Sequence, residues 1–244
     1  MTAILDPGSF VVRNAPWLTA GALLTLMSSF GQTFFISIFA GEIRTDFGLS
    51  HGEWGLIYTF GTFASAVVMV WAGAQADVYR VRTLGQIVLV ALAAACLFMA
   101  FNTVAALLPI VVFCLRLTGQ GMASHLAIVA MGRWFVATRG RALAIATMGF
   151  AVGEALLPIL FVFLMTLLDW RVLWVVAAAL ALGAAPLLRT LLTHERTPQA
   201  VAKEQSVTGM EGRHWTRLQP LRHPLFWFMV PALLGPSAFN AAFF

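Results

Sequence analysis

Arg116 and Glu154 are ionisable side chains set inside long apolar stretches, and they are the residues whose types and placement suggest chemistry. A charge at the centre of a membrane helix costs about 2.5–3.5 kcal/mol on insertion scales, and such residues usually mark a pathway or a paired site. At about 1.5 Å of rise per residue, Arg116 falls a few Å outside the midplane of its apolar run and Glu154 almost at the midplane of the next. The two depths agree within about one helical turn. The chemistry open to a facing pair is anion binding by Arg116, with Glu154 as a protonatable counter-charge. Burial disfavours the ionised carboxyl and a nearby cation favours it, a balance suited to reversible proton loading and coupled transport. A purely structural ion pair is the alternative.

Other polar residues are placed to line the same space. Gln32 and Thr33 lie in the outer half of the first apolar run. Tyr58, Thr62 and Ser65 form an i, i+4, i+7 stripe on the second, which serves equally to line a cavity or to bond neighbouring helices. Gln120 shares the face of Arg116, one turn on. His125, nine residues on, is about 180° round an α-helix and is expected to pack rather than bind. Gly149 and Gly153 form a G-x-x-x-G that permits close helix contact, and Pro158 adds a kink.

The elements that must hold these residues follow from composition. The chain is 60% hydrophobic and 10% charged, against about 25% charged in ordinary soluble domains. It therefore reads as an integral membrane protein, since a soluble domain of this length cannot enclose so much apolar surface. About 20 apolar residues cross a bilayer, and seven such runs occur, over 17–39, 54–75, 83–101, 106–131, 142–167, 171–192 and 224–244. Their connectors alternate in charge. One side carries Arg13, Arg80, Arg82, Arg133, Arg139, Arg141, Arg189, Arg196, Lys203, Arg213, Arg217 and Arg222, and the other only Arg44 and Arg171. That asymmetry predicts a cytoplasmic N-terminus.

Ser50 with Glu53 reads as a capping box before the second run, and Asp169 as the cap of the sixth. The first apolar run is too long for a cleavable signal peptide and lacks a small-residue cleavage pattern. The architecture expected is all-α: a six-helix transmembrane bundle over 1–192, a cytoplasmic linker over 193–223 and a further transmembrane helix over 224–244. The apolar run reaches Phe244 with no polar flank, as expected of the N-terminal part of a longer protein.

Several classes of function are disfavoured. The net charge of +5 is spread over connectors with no aromatic-interleaved basic patch, so no nucleic-acid partner is expected. Cys96 and Cys114 sit in apolar runs as small fillers, and His194, His214 and His223 lack metal-ligand spacing. Neither metal nor cofactor is expected, and no G-x-x-x-x-G-K-[ST] phosphate loop occurs. An intramembrane enzyme would need a nucleophile and base in reach. Ser124 and His125 are neighbours pointing about 100° apart on a helix, and no G-x-S-x-G occurs.

After the second run the chain reads Gly73-Ala-Gln-Ala-Asp77-Val-Tyr-Arg80-Val-Arg82. This resembles the G-x-L-A-D-R-x-G-R-[KR] loop of the major facilitator superfamily, with Gly73, Ala76, Asp77 and Arg82 matching and Gln75, Val78, Arg80 and Val81 departing. Arg116-Leu-Thr-Gly119-Gln-Gly121 is similar to the family's Arg-and-glycine signature on its fourth helix. Gly149 through Pro158 resembles its Gly/Pro-rich signature on the fifth, with Glu154 where small residues are commoner. Gly31-Gln-Thr-Phe-Phe-Ile resembles bacterial monocarboxylate- and oxalate/formate-like members.

The resemblance implies a secondary transporter in the bacterial inner or plasma membrane. Two bundles would rock about a midplane site to move a small, carboxylate-like anion, with a proton as the coupling ion. Arg116, Gln32, Tyr58 and Gln120 would bind the solute, Glu154 would couple, and Asp77, Arg82 and Arg133 would form a conformational latch. A membrane scaffold or assembly protein is the competing reading.

Overall fold

The computed structural model describes residues 7–194 and 219–243, which are helical apart from short connectors. The chain divides into two units, Met1–Pro198 and Gln199–Phe244. Six helical stretches of the first are long and apolar enough to cross a membrane: Phe10–Ile38, His51–Val78, Val81–Phe101, Ala105–Trp134, Arg139–Met165 and Trp170–Leu191, here spans 1 to 6.

Span 1 is not the single helix over 17–39 that its apolarity predicts. It begins earlier, as α1 (Pro7–Ser28), passes through a 3₁₀ turn at Ser29–Gly31, and is interrupted at Gln32, whose φ of −84° and ψ of 156° are extended. It resumes as α2 (Thr33–Ile38) and continues outside the span as α3 (Ala40–Phe47). Ser28, Ser29 and Gly31 are the type of small and hydroxylated residues at which helices kink. Gly48, at φ 63°, ends α3 in the left-handed conformation that glycine adopts without steric cost.

Span 2 comprises α4 (His51–Ala72) and α5 (Gln75–Val78). The expected capping box is present: the Ser50 hydroxyl accepts from the Glu53 N–H at 3.2 Å, and Glu53 accepts from the Ser50 N–H at 2.8 Å. Span 3 is α6 (Val81–Phe101). Span 4 is built in four parts, a 3₁₀ turn (Ala105–Leu107), α7 (Leu108–Leu115), a π-helical stretch (Arg116–Ala123) and α8 (Ser124–Trp134). Span 5 is α9 (Arg139–Met165), with Pro158 inside it. Span 6 is α10 (Trp170–Leu191), capped by Asp169, whose carboxylate accepts from the Arg171 N–H at 2.8 Å.

In the second unit, a 3₁₀ turn at Pro220–Arg222 precedes α11 (Pro224–Phe243), at the position read as a seventh run. Most of the linker expected over 193–223, His214 included, lies outside the described residues.

Two packing devices hold the six spans. The first is aromatic: Phe30 and Phe35 of span 1 and Phe39 just beyond it meet Phe161 of span 5 and Trp174 of span 6, with Phe35 to Phe161 centroids 4.8 Å apart and edge-on. The second is the absence of side chains. A Cβ on Gly149 would stand 2.0 Å from the Ala22 carbonyl oxygen, and one on Gly153 2.2 Å from Ser29 Oγ. The G-x-x-x-G of span 5 is thus the seat of span 1. On another face of span 1, a Cβ on Gly31 would stand 2.2 Å from the Leu115 carbonyl and 2.7 Å from Gly119 Cα. Span 1 is wedged between spans 4 and 5. Spans 2 and 5 stay most open, with 11% and 17% of their most apolar stretches buried against 56% for spans 1 and 3.

Candidate functional site

The π-helical stretch has local causes. The Thr118 hydroxyl donates to the Cys114 carbonyl at 2.7 Å, and the Ser124 hydroxyl donates to that of Gln120. Both take carbonyls four residues back, competing with the α-helical ladder. Gly119 adds the bare backbone needed to meet Gly31. Wider i→i+5 turns result, a feature frequent at functional sites.

Arg116 opens this stretch and is 7% exposed. Its Nη1 donates to the Gly31 carbonyl at 3.3 Å and to Thr33 Oγ1 at 3.1 Å. Tyr58 donates to the same Thr33 oxygen at 2.9 Å, and its ring centroid lies 5.6 Å from the guanidinium carbon. The break in span 1 therefore has a purpose: it frees a carbonyl and turns a hydroxyl toward the buried cation. Arg116 Nε is buried with no partner, as is Thr62 Oγ1. Both residues line a cleft of about 440 Å³ between spans 2 and 4. Ser65 and Met69 continue the wall on span 2, and Gln120 and His125 on span 4. Among the described residues, no acidic side chain lines the cleft.

Of the residues singled out in the sequence, the structure gathers Arg116, Tyr58, Thr33, Thr62, Ser65 and Gln120. Gln32 is buried at the break and bonds through its backbone, its N–H to the Ser29 carbonyl at 3.0 Å, without lining the cleft. His125 departs from expectation. An α-helical count puts it opposite Arg116, yet both line the cleft. The intervening π turns spread more residues over each revolution, so an α-helical count of nine residues misplaces its face. Ser124 and His125 do not hydrogen-bond each other, because Ser124 is committed to Gln120 and His125 Nε2 lies 3.2 Å from the Gly73 carbonyl.

The facing of Glu154 with Arg116 is not found. Glu154 is exposed on α9 and makes no ion pair with Arg116. The reason is the wedge: Gly153 turns its face to span 1, which separates span 5 from the Arg116 end of span 4. Equal depth on consecutive helices did not make them neighbours.

Asp77 and Arg133 form an ion pair, and Arg133 Nη1 also donates to the Ala76 carbonyl at 2.9 Å. Arg82 is half-buried in the first turn of α6. At the other end of the bundle stands a pair that sequence reasoning missed. Arg171 donates to Asp46 through Nε at 3.2 Å and Nη2 at 3.0 Å, and to the Ala100 and Asn102 carbonyls through Nη1. Its guanidinium also stacks over Trp170 at 4.5 Å. The signal was present, since Arg171 and Arg44 were the lone cations on that side.

The sequence model of the Major Facilitator Superfamily matches residues 21–244. The chain belongs to the major facilitator superfamily. No curated protein matches it at a significant level. Members of this superfamily are membrane transporters rather than enzymes, and they bind small-molecule solutes within a lipid bilayer. The stretch Gly73 to Arg82, which resembles the superfamily's loop in part, lies where span 2 meets span 3, and Arg116 to Gly121 lie in the π-helical stretch of span 4.

Proposed function

We propose that the protein is a secondary active transporter of a small, carboxylate-like anion, working by alternating access, with Arg116 as the anion-binding residue. The observation that carries this reading is the state of Arg116. It is more than nine-tenths buried, its Nη1 is held by neutral oxygens, and its Nε is without a partner beside a cleft that no carboxylate of the described residues lines. A buried charge is costly unless paired, and a guanidinium is the side chain best shaped to grip a carboxylate through two parallel bonds. An anionic solute supplies the missing partner. Tyr58 and Thr33 hold the guanidinium in place from below, and Gln120 adds an amide at the cleft.

In this reading the N-terminus is cytoplasmic, the membrane is a bacterial inner or plasma membrane, and Asp77, Arg82 and Arg133 latch one conformation. Glu154 acts apart from Arg116, as the proton-coupling carboxylate on the open face of span 5. The likeness of the Gly31 segment to monocarboxylate- and oxalate/formate-like members points to the same solute class.

The test is uptake of labelled carboxylates into proteoliposomes. Arg116→Gln should reduce uptake by tenfold or more with the folded yield retained. Uptake unchanged in that variant would overturn the assignment.

A further inference from the structure

We infer that His125 is the second anchor of the Arg116 cleft, and that the anion taken there carries a hydrogen-bond donor at the end remote from its charge. The inference rests on the reading of Arg116 as the anion site. A carbonyl oxygen can only accept, so the 3.2 Å contact of His125 Nε2 with the Gly73 carbonyl requires the proton on Nε2. In the neutral ring Nδ1 is then an acceptor. It has no protein partner among the described residues, and His125 lines the cleft. The site thus offers donors at one end, on Arg116, and an acceptor at the other.

The cleft is elongated. Thr62 to Met69 on span 2 covers about 10 Å of helical rise, and Arg116 to His125 on span 4 up to about 13 Å. Between the two ends it is lined by Ser65, Ala66, Gln120 and Gly121, none of them charged. Gly121 helps keep it clear: a Cβ there would stand 3.1 Å from Met69 Sδ. A two-carbon carboxylate fills only the Arg116 end. An anion about 10 Å long, with an uncharged middle and a terminal hydroxyl or amide, fills the length and meets Nδ1 with its donor.

The experiment compares butanoate, octanoate and 8-hydroxyoctanoate by calorimetry on the full chain in nanodiscs, with wild type, His125→Phe, His125→Asn and Arg116→Gln. Wild type should bind 8-hydroxyoctanoate about three- to tenfold more tightly than octanoate, the span of one net hydrogen bond, and butanoate most weakly. His125→Phe should bring the two long acids to within about twofold of each other while leaving octanoate bound. Asn, whose amide can donate to Gly73 and still offer an acceptor, should restore part of the preference. Equal wild-type affinity for the two long acids, or a hydroxyl preference that survives His125→Phe, overturns the inference while leaving the anion site intact. Carboxylate binding that is absent in wild type, or indifferent to Arg116→Gln, overturns the reading beneath it as well.

Discussion

Arg116 and Arg171 are both held by backbone carbonyls and both lie over an aromatic ring, yet only Arg171 has a carboxylate. Arg171 sits at one end of the bundle, where Asp46 of α3, the carbonyls that end span 3 and the start of span 6 converge on it. Nearly all of its donors are spent inside the protein. Arg116 sits within the span with donors left over, and its nearest oxygens are neutral. Arg133 resembles Arg171, with Asp77 and the Ala76 carbonyl as partners. The contrast teaches that position in the chain is a poorer guide to the role of an arginine than what its carbonyl-bound head still lacks. Two are fasteners, and one has unspent donors.

The contrast breaks most sharply if Arg116→Gln leaves carboxylate uptake intact, the outcome with the largest signal. Next in size is the seat that puts span 1 between Arg116 and Glu154. Gly149→Ala forces a Cβ to within 2.0 Å of the Ala22 carbonyl, and overpacking of this kind costs about 1–3 kcal/mol. The folded fraction after detergent extraction should fall, whereas Gly52→Ala, with nothing within 4 Å, should behave as wild type. Glu154→Gln should abolish pH-driven uptake while sparing exchange of bound solute, and unaltered proton coupling would remove Glu154 from the mechanism. Arg171→Gln should invert the Arg116 result, lowering Tm by a few degrees for about 1 kcal/mol with KM unchanged. A change in KM would erase the distinction between the two arginines. Smallest is Asp77→Asn. The pair is partly exposed, so its loss should shift the inward–outward balance by no more than about 1 kcal/mol, read by spin-label distances, without altering solute choice. A pure loss of membrane expression would instead make Asp77 structural.

Much of the fold was legible because hydropathy and charge are summed over whole segments. Five of the six spans fall within a few residues of their apolar runs, and the Ser50–Glu53 and Asp169 caps form as their residue types require. The site was legible by residue but not by arrangement. Arg116 announced itself by its cost at membrane depth, and Tyr58, Thr62 and Ser65 by their spacing. His125 was misplaced because an α-helical period was carried through Gly119 and Gly121, where the backbone is wider. Glu154 was given the wrong neighbour because depth along two helices says nothing of the helix between them. The interruption at Gln32 was written in Ser28, Ser29 and Gly31, but an apolarity window averages over such residues.

The wide-turn stretch of span 4 has a consequence for how this chain tolerates change. His125 and Arg133, both on α8, reach the Gly73 and Ala76 carbonyls of the same signature loop. Their aim is set by the length of the segment joining them to Arg116, as the bitting of a key is set by the spacing of its cuts. Deleting one residue between Leu117 and Ala123 would turn α8 by one residue's share of a wide turn and carry both side chains off their carbonyls together. Point substitutions there should be borne far better than a frame-preserving codon loss.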